Sequence, residues 1–327
     1  MEKHLLSLEQ TSQMIAAGRK LILAGSNKLL PQLPEGDWIA GTSPFFIDSD
    51  GGQVCLDKIF VTDVTDYQEE IRIQTYDENT LKNVYADGFD NGFTVLIIPP
   101  SSKVHYDFAL NAPDYKDFAV RPLMGWISCH EETEDEKIIS GKIFAGSNKS
   151  SSDVLAVAMH VKLPKEKYAD LNLFHIYSQG QGDKMEFLKS GFKAKNILIN
   201  GKEWNVSEYI RTKNIDPTLP IIANYNSAMI NVSLAAVMPD SITMFAPVFK
   251  GVEYRLANPV DRVAALKDVN KKYASVTPFY SVICILCYLY GKLEGQKLGG
   301  IIGPVTHGEI CYQLVNQTIV TLDIKDI

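Results

Sequence analysis

This chain of 327 residues has no basic cluster. Its 32 Lys and Arg are scattered among 39 Asp and Glu, and the net charge is −7. Nucleic-acid binding draws on clustered Lys and Arg, so nucleic acid is excluded as the main partner. Long apolar runs are missing too. The longest, Phe279 to Tyr290, holds 12 residues including Ser281, and a membrane-spanning helix needs roughly 18 to 20. The start, MEKHLLSLEQTSQ, lacks the basic-then-apolar layout of a signal peptide. Cysteines are few and odd in number: Cys55, Cys129, Cys284, Cys287 and Cys311. An odd set in apolar surroundings fits reduced, buried thiols better than a disulfide framework. A soluble cytoplasmic protein is expected. No G-x-S-x-G, phosphate-loop, dinucleotide-binding or H-E-x-x-H pattern occurs, which weakens the enzyme class without excluding it.

What is present is ordinary globular material, 46% apolar and 22% charged. The length predicts two units. The charged segment LPKEKYADLN, residues 163–172, is the natural seam, giving modules 1–165 and 166–327. Ser7 is placed to cap a helix, with Gln10 as its capping-box partner and Gly18 as its stop. LILAG and TVLIIPP read as buried strands, and residues 26–33, 78–85 and 101–110 fall in short helical segments. Asn200-Gly201 predicts a type I′ turn. Asn258-Pro259 is read as the start of a helix with Val263, Leu266, Val269 and Tyr273 on its inner face. The run from Ser281 is expected to begin as a strand and turn helical after Cys287.

The N-terminal half repeats itself. Gly41 precedes Lys58-Ile59-Phe60 by 17 residues, and Gly125 precedes Lys142-Ile143-Phe144 by the same 17. Each Gly strand also follows a buried strand. An internal duplication accounts for both features. The expected fold is α/β (α+β), with mixed, largely antiparallel sheets covered by helices.

Chemistry-bearing residues cluster near the end, in GPVTHGEICYQLVNQT. On a strand, His307, Glu309 and Cys311 share one face, roughly 7 Å apart. Zinc needs three or four ligands, and no second His/Cys pair stands near in sequence, so no metal is expected. Glu309 either faces a ligand, as one polar group in an apolar pocket, or caps a loop or lies in solvent. Cys284 and Cys287 form a C-x-x-C inside an apolar run and are read as core thiols. Interior Gly41 and Gly125 mark close approach of a ligand or of another backbone. No C-x-x-C-H exists for covalent haem, and none of His105, His130, His160 and His175 stands out as a haem ligand.

Taken in order, these pieces resemble the FIST family. Leu33-Pro34 stands before Ile39-Ala40-Gly41-Thr42-Ser43, and Met124-Gly125-Trp126 gives a second Gly-centred strand. KIFAGS and DVLAVAMHV follow, then ILINGKEW and the strand-end Cys287. Gly303, Thr306, Gly308, Glu309, Ile310, Asn316 and Thr318 fill the closing pattern. Two departures are Trp126 in the second strand and Tyr288-Leu289-Tyr290-Gly291 where the family has an Arg. The resemblance implies a stand-alone sensory protein that binds a small, amino-acid-like molecule. It would act through a separate histidine kinase, cyclic-di-GMP enzyme or chemoreceptor. The binding set it implies is Gly41, Thr42, Ser43, Gly125, Cys129, Cys287, Thr306 and Glu309. Two alternatives stand beside it: a haem-based nitric-oxide sensor, and an enzyme using Cys or Glu chemistry in the same cleft.

Overall fold

The computed structural model describes residues 4–132, 138–225 and 228–327. Met1, Glu2 and Lys3 of the charged start lie outside the described residues. The chain is mostly strand, in largely antiparallel sheets with few helices. No described helix is long and apolar enough to cross a membrane.

Three six-stranded sheets share one topology. In the first, the edge strand Leu5–Leu6 pairs with Ile59–Asp63, which pairs with Leu21–Gly25. Leu21–Gly25 then runs parallel to Trp38–Thr42. In the second, Glu70–Tyr76, Ala156–Lys162, Gly92–Ile98 and Leu123–Ile127 repeat that order, again with only the last pair parallel. In the third, Lys167–Phe174, Ile319–Asp326, Tyr280–Cys284 and Gly303–Thr306 repeat it once more.

The last two strands of each of these three sheets come from another unit. Unit one sends the hairpin Phe45–Asp48/Gly51–Val54 to sheet three. Unit two sends Ile143–Ala145/Ser150–Ser152 to sheet one. Unit three sends Glu309–Cys311/Gln313–Val315 to sheet two. The repeat is therefore threefold, with hairpins exchanged in a ring. Residue 165 falls between units two and three, while the sheets on either side of it share strands.

Alternation along each strand builds the layers. Ile22, Ala24 and Ile39, with Val95, Ile97 and Trp126, and with Tyr280 and Val282, join in one central core. The opposite faces are covered separately. Leu21, Leu23 and Trp38 meet Ile15 of helix Leu8–Ala16. Leu96 and Ile98 meet Val104 and Phe108 of helix Lys103–Asn111. Ile283 and Val305 meet Leu266 of helix Arg262–Lys272 and Leu286 of helix Ile285–Tyr290. The molecule is a three-sided prism with a shared interior. Unit three carries an insertion, residues 175–257, which forms two further sheets packed beyond helix Lys103–Asn111.

Local expectations fare unevenly. Ser7 and Gln10 form the capping box, and Asn200 and Gly201 take the positive φ values of a type I′ turn. The helix expected at Asn258-Pro259 starts later, because Asp261 is the residue whose side chain accepts from Ala264 N–H. Residues 78–85 contain only the 3₁₀ turn Leu81–Asn83. The last helix begins at Ile285, before Cys287. The Lys-Ile-Phe triplets do not correspond. Ile59 starts a return strand next to Leu21–Gly25, whereas Ile143 starts an exported hairpin. The duplication is carried by topology, not by that match.

Candidate functional site at the converging strand ends

The carboxyl ends of the three parallel pairs meet at one point. Registers in the three pairs place Thr42, Ile127 and Val305 at equivalent positions. Ser43, Ser128 and Thr306 come next, then Pro44, Cys129 and His307. Cys129 N–H donates to the Thr42 carbonyl at 2.7 Å, and His307 N–H donates to the Ile127 carbonyl at 3.2 Å. The third member of this ring would come from Pro44, which has no N–H. The Ser43 hydroxyl donates to the Val305 carbonyl instead, at 2.7 Å. Thr42 Oγ1 adds a 2.7 Å bond to the Cys129 carbonyl. Thr42, Ser43, Ser128, Cys129 and Thr306 are wholly buried.

The two glycines singled out in sequence are not equivalent to each other. Gly41 corresponds to Trp126, and Gly125 corresponds to Ala40 and Gly303. One residue of slip turns a strand position to the opposite face. A Cβ on Gly41 would stand 2.5 Å from the Trp126 ring and 2.6 Å from Ile97. A Cβ on Gly125 would meet the Leu96 carbonyl at 1.8 Å, and one on Gly303 the Ser281 carbonyl at 2.0 Å. Trp126 fills the space over Gly41 and donates from Nε1 to the Tyr280 hydroxyl at 3.0 Å.

Glu309 sits behind the ring and is wholly buried. Its carboxyl accepts from Thr318 Oγ1 at 2.7 Å and from Thr306 Oγ1 at 3.3 Å. Burial pushes it up to about 8, and hydrogen bonds from Thr318, Cys284 and Thr306 hold it below a still higher value. It is therefore largely protonated at neutral pH. The thiols beside it are also held protonated. Burial pushes Cys129 up to about 12, and raises Cys284 and Cys287 well above the ordinary thiol range. Cys284 Sγ accepts from Gln317 N–H, while Cys287 lies 3.8 Å from the Thr318 carbonyl. Cys287 stands on helix Ile285–Tyr290, outside the ring.

Outside the ring the strand ends carry histidine and acidic side chains. His130 and His307 follow the strand ends, with ring centroids 5.5 Å apart. Burial drives His307 down to about 4, helped by the charge of His130. His105, in the first turn of helix Lys103–Asn111, is also driven down to about 4, by burial first and by His307 second. Its Nδ1 accepts from Ser101 N–H at 3.2 Å, so the neutral ring carries its proton on Nε2. That Nε2–H is buried and has no partner among the described residues. His130 Nδ1 likewise accepts from Gly141 N–H, at 3.4 Å. Beyond His130, Glu131 accepts from Asn27 N–H at 2.7 Å, and the Asn27 side chain also faces that carboxyl. Burial raises the Glu131 carboxyl.

This arrangement can do one thing well. It can offer N–H donors to an acceptor oxygen, at the carboxyl ends of parallel strands where crevices in α/β sheets receive ligands. No group of three or more His, Cys, Asp and Glu positioned to hold a metal ion is present among the described residues. The sequence model of a family of unknown function, DUF6976, matches residues 6–325. The chain belongs to that family. No curated protein and no solved structure matches it.

The FIST resemblance is corrected by this assignment. Its short motifs have local causes in this fold: Gly41 makes room for Trp126, and Gly125 for a neighbouring carbonyl. Of the binding set drawn from that resemblance, Thr42, Ser43, Cys129 and Thr306 meet in the ring, and Glu309 lies behind it. Gly41 and Gly125 lie on the strands leading to it. Sequence reading passed over Ser128, Asn27 and Glu131, and weighed His105 only as a haem ligand. One signal was available. A hydroxyl residue recurs at the same strand end as Ser43, Ser128 and Thr306.

Proposed function

We propose that the chain is a small-ligand-binding protein that holds the carboxylate of an amino-acid-like metabolite at the mouth of the prism axis. The observation that carries this reading is the buried, unpartnered Nε2–H of His105 near His307, whose ring in turn stands 5.5 Å from that of His130. An unmade bond on a buried donor costs about 1–3 kcal/mol, and an incoming carboxylate would remove that cost. The Glu131 carboxyl offers an acceptor for an ammonium group. Thiol chemistry in the same cleft is disfavoured, since the thiolate is the nucleophile and burial holds Cys129 and Cys287 protonated. A signalling partner and haem were expected from the FIST resemblance alone, and both lose that support with it.

The test is a thermal-shift screen at pH 7 with amino acids, 2-hydroxy acids and 2-oxo acids. A ligand at 100 times its Kd should add about 2.7 kcal/mol of stability. His105→Phe keeps a ring against Tyr106 and Phe192 but removes the donor. It should weaken binding about 10- to 100-fold, the worth of one hydrogen bond to a charged group. A panel without any shift, or a hit indifferent to His105→Phe, would sink the proposal.

A further inference from the structure

A second site lies away from the axis. Helix Arg262–Lys272 and the loop after helix Ile285–Tyr290 enclose a groove of about 480 Å³. That volume falls within the roughly 300–1,000 Å³ of small-molecule sites. Lys267, Lys271, Lys292 and Lys297 line it, together with Asn270 and Gln296. No acidic residue lines it, on a chain whose net charge is −7. Lys271 pairs with Asp268 at 3.0 Å. Lys267, Lys292 and Lys297 form no ion pair among the described residues. Lys292 also adopts φ 52°, a left-handed conformation uncommon outside glycine. The floor is apolar, from Val263, Leu266 and Leu293.

We propose that this groove binds a phosphorylated small molecule with two or more negative charges, its phosphates on the lysines and its body on the apolar floor. Three lysines without an ion pair, and a fourth shared with Asp268, line this one groove and together lower the free energy of a multiply charged anion there.

Isothermal titration of the whole chain with inorganic pyrophosphate and with ADP tests it. Saturable binding is expected, weakening as salt rises. A Lys267→Gln/Lys292→Gln variant should lose at least about tenfold in affinity, and its circular dichroism should match the parent. Lys267→Arg/Lys292→Arg, which keeps the charge, should retain binding. His105→Phe should leave pyrophosphate affinity unchanged, which separates this site from the axial one. The proposal is overturned by an absence of saturable binding, by binding that survives the glutamine pair, or by capture on phosphatidylserine vesicles in place of either probe.

Discussion

Replacing Glu309 by Gln removes one proton-binding site and little else. The amide has nearly the shape of the carboxyl and can still accept from Thr318. The ordinary carboxyl value is 4.5, and burial in the fold lifts it to about 8. Between those values the folded chain holds a proton that the unfolded chain has lost. Stability must then fall as pH rises through this window and level off above it. The slope is about 1.4 kcal/mol per pH unit, which accumulates to roughly 5 kcal/mol across the window. Four histidines act in the opposite direction, and burial lowers His130 among them. His105, His160 and His307 are each driven down to about 4 by burial, so the unfolded chain binds more protons up to the ordinary value of 6.5 and stability rises with pH there. The parent should be most stable near pH 6.5 and lose stability toward pH 8. Urea melts at half-unit steps from pH 5 to 9, on the parent and on Glu309→Gln, isolate the carboxyl, because the histidine contributions cancel in the difference. That difference should decline steadily to about pH 8 and then stay level. A difference that is flat from pH 5 to 9 would mean that Glu309 is not a buried, protonated acid, and the reasoning would fail.

Other consequences can be checked more simply. Gly41→Ala places a methyl group 2.5 Å from Trp126 and should cost about 1–3 kcal/mol by overpacking; Gly41→Ala/Trp126→Phe should recover part of that loss in a thermal melt. Cys129, Cys284 and Cys287 should resist alkylation at pH 8 in the folded chain and react once urea unfolds it, as mass spectrometry of the labelled peptides would show. A fragment of residues 1–165 lacks the hairpin 309–315 that completes sheet two, and the hairpin 45–54 loses its place in sheet three. Such a fragment should fail to give dispersed amide signals in NMR, and dispersed signals would show that the first two units stand without the third.

Much of the fold was legible because burial writes itself into strands. LILAG and TVLIIPP are apolar on both faces, since each strand has a shared core on one side and a helix on the other. The third copy was hidden for two reasons. The insertion 175–257 separates its edge strand from its parallel pair. The copies also share backbone geometry more than residue identity, as Gly41, Trp126 and Pro304 show at one position. The Lys-Ile-Phe match was misleading for the same reason, joining strands of different roles. Exchange of hairpins between sheets leaves no periodic trace, because pairing partners lie far apart along the chain. The candidate site was half legible. Hydroxyl residues at strand ends are visible in sequence, but convergence of His105, His130 and His307 depends on the ring that the three units close together.

The most direct test of the axial site is long-range ¹H–¹⁵N NMR of the histidine side chains at pH 7, with and without the best ligand from the carboxylate panel. Before ligand is added, His105 should show a neutral ring protonated on Nε2. Saturating ligand should move the signals of His105 and at least one of His130 and His307, and leave His160, bonded at 2.8 Å to both Tyr76 and Thr94, unmoved. Unchanged axial histidines in the presence of a bound ligand would contradict the account.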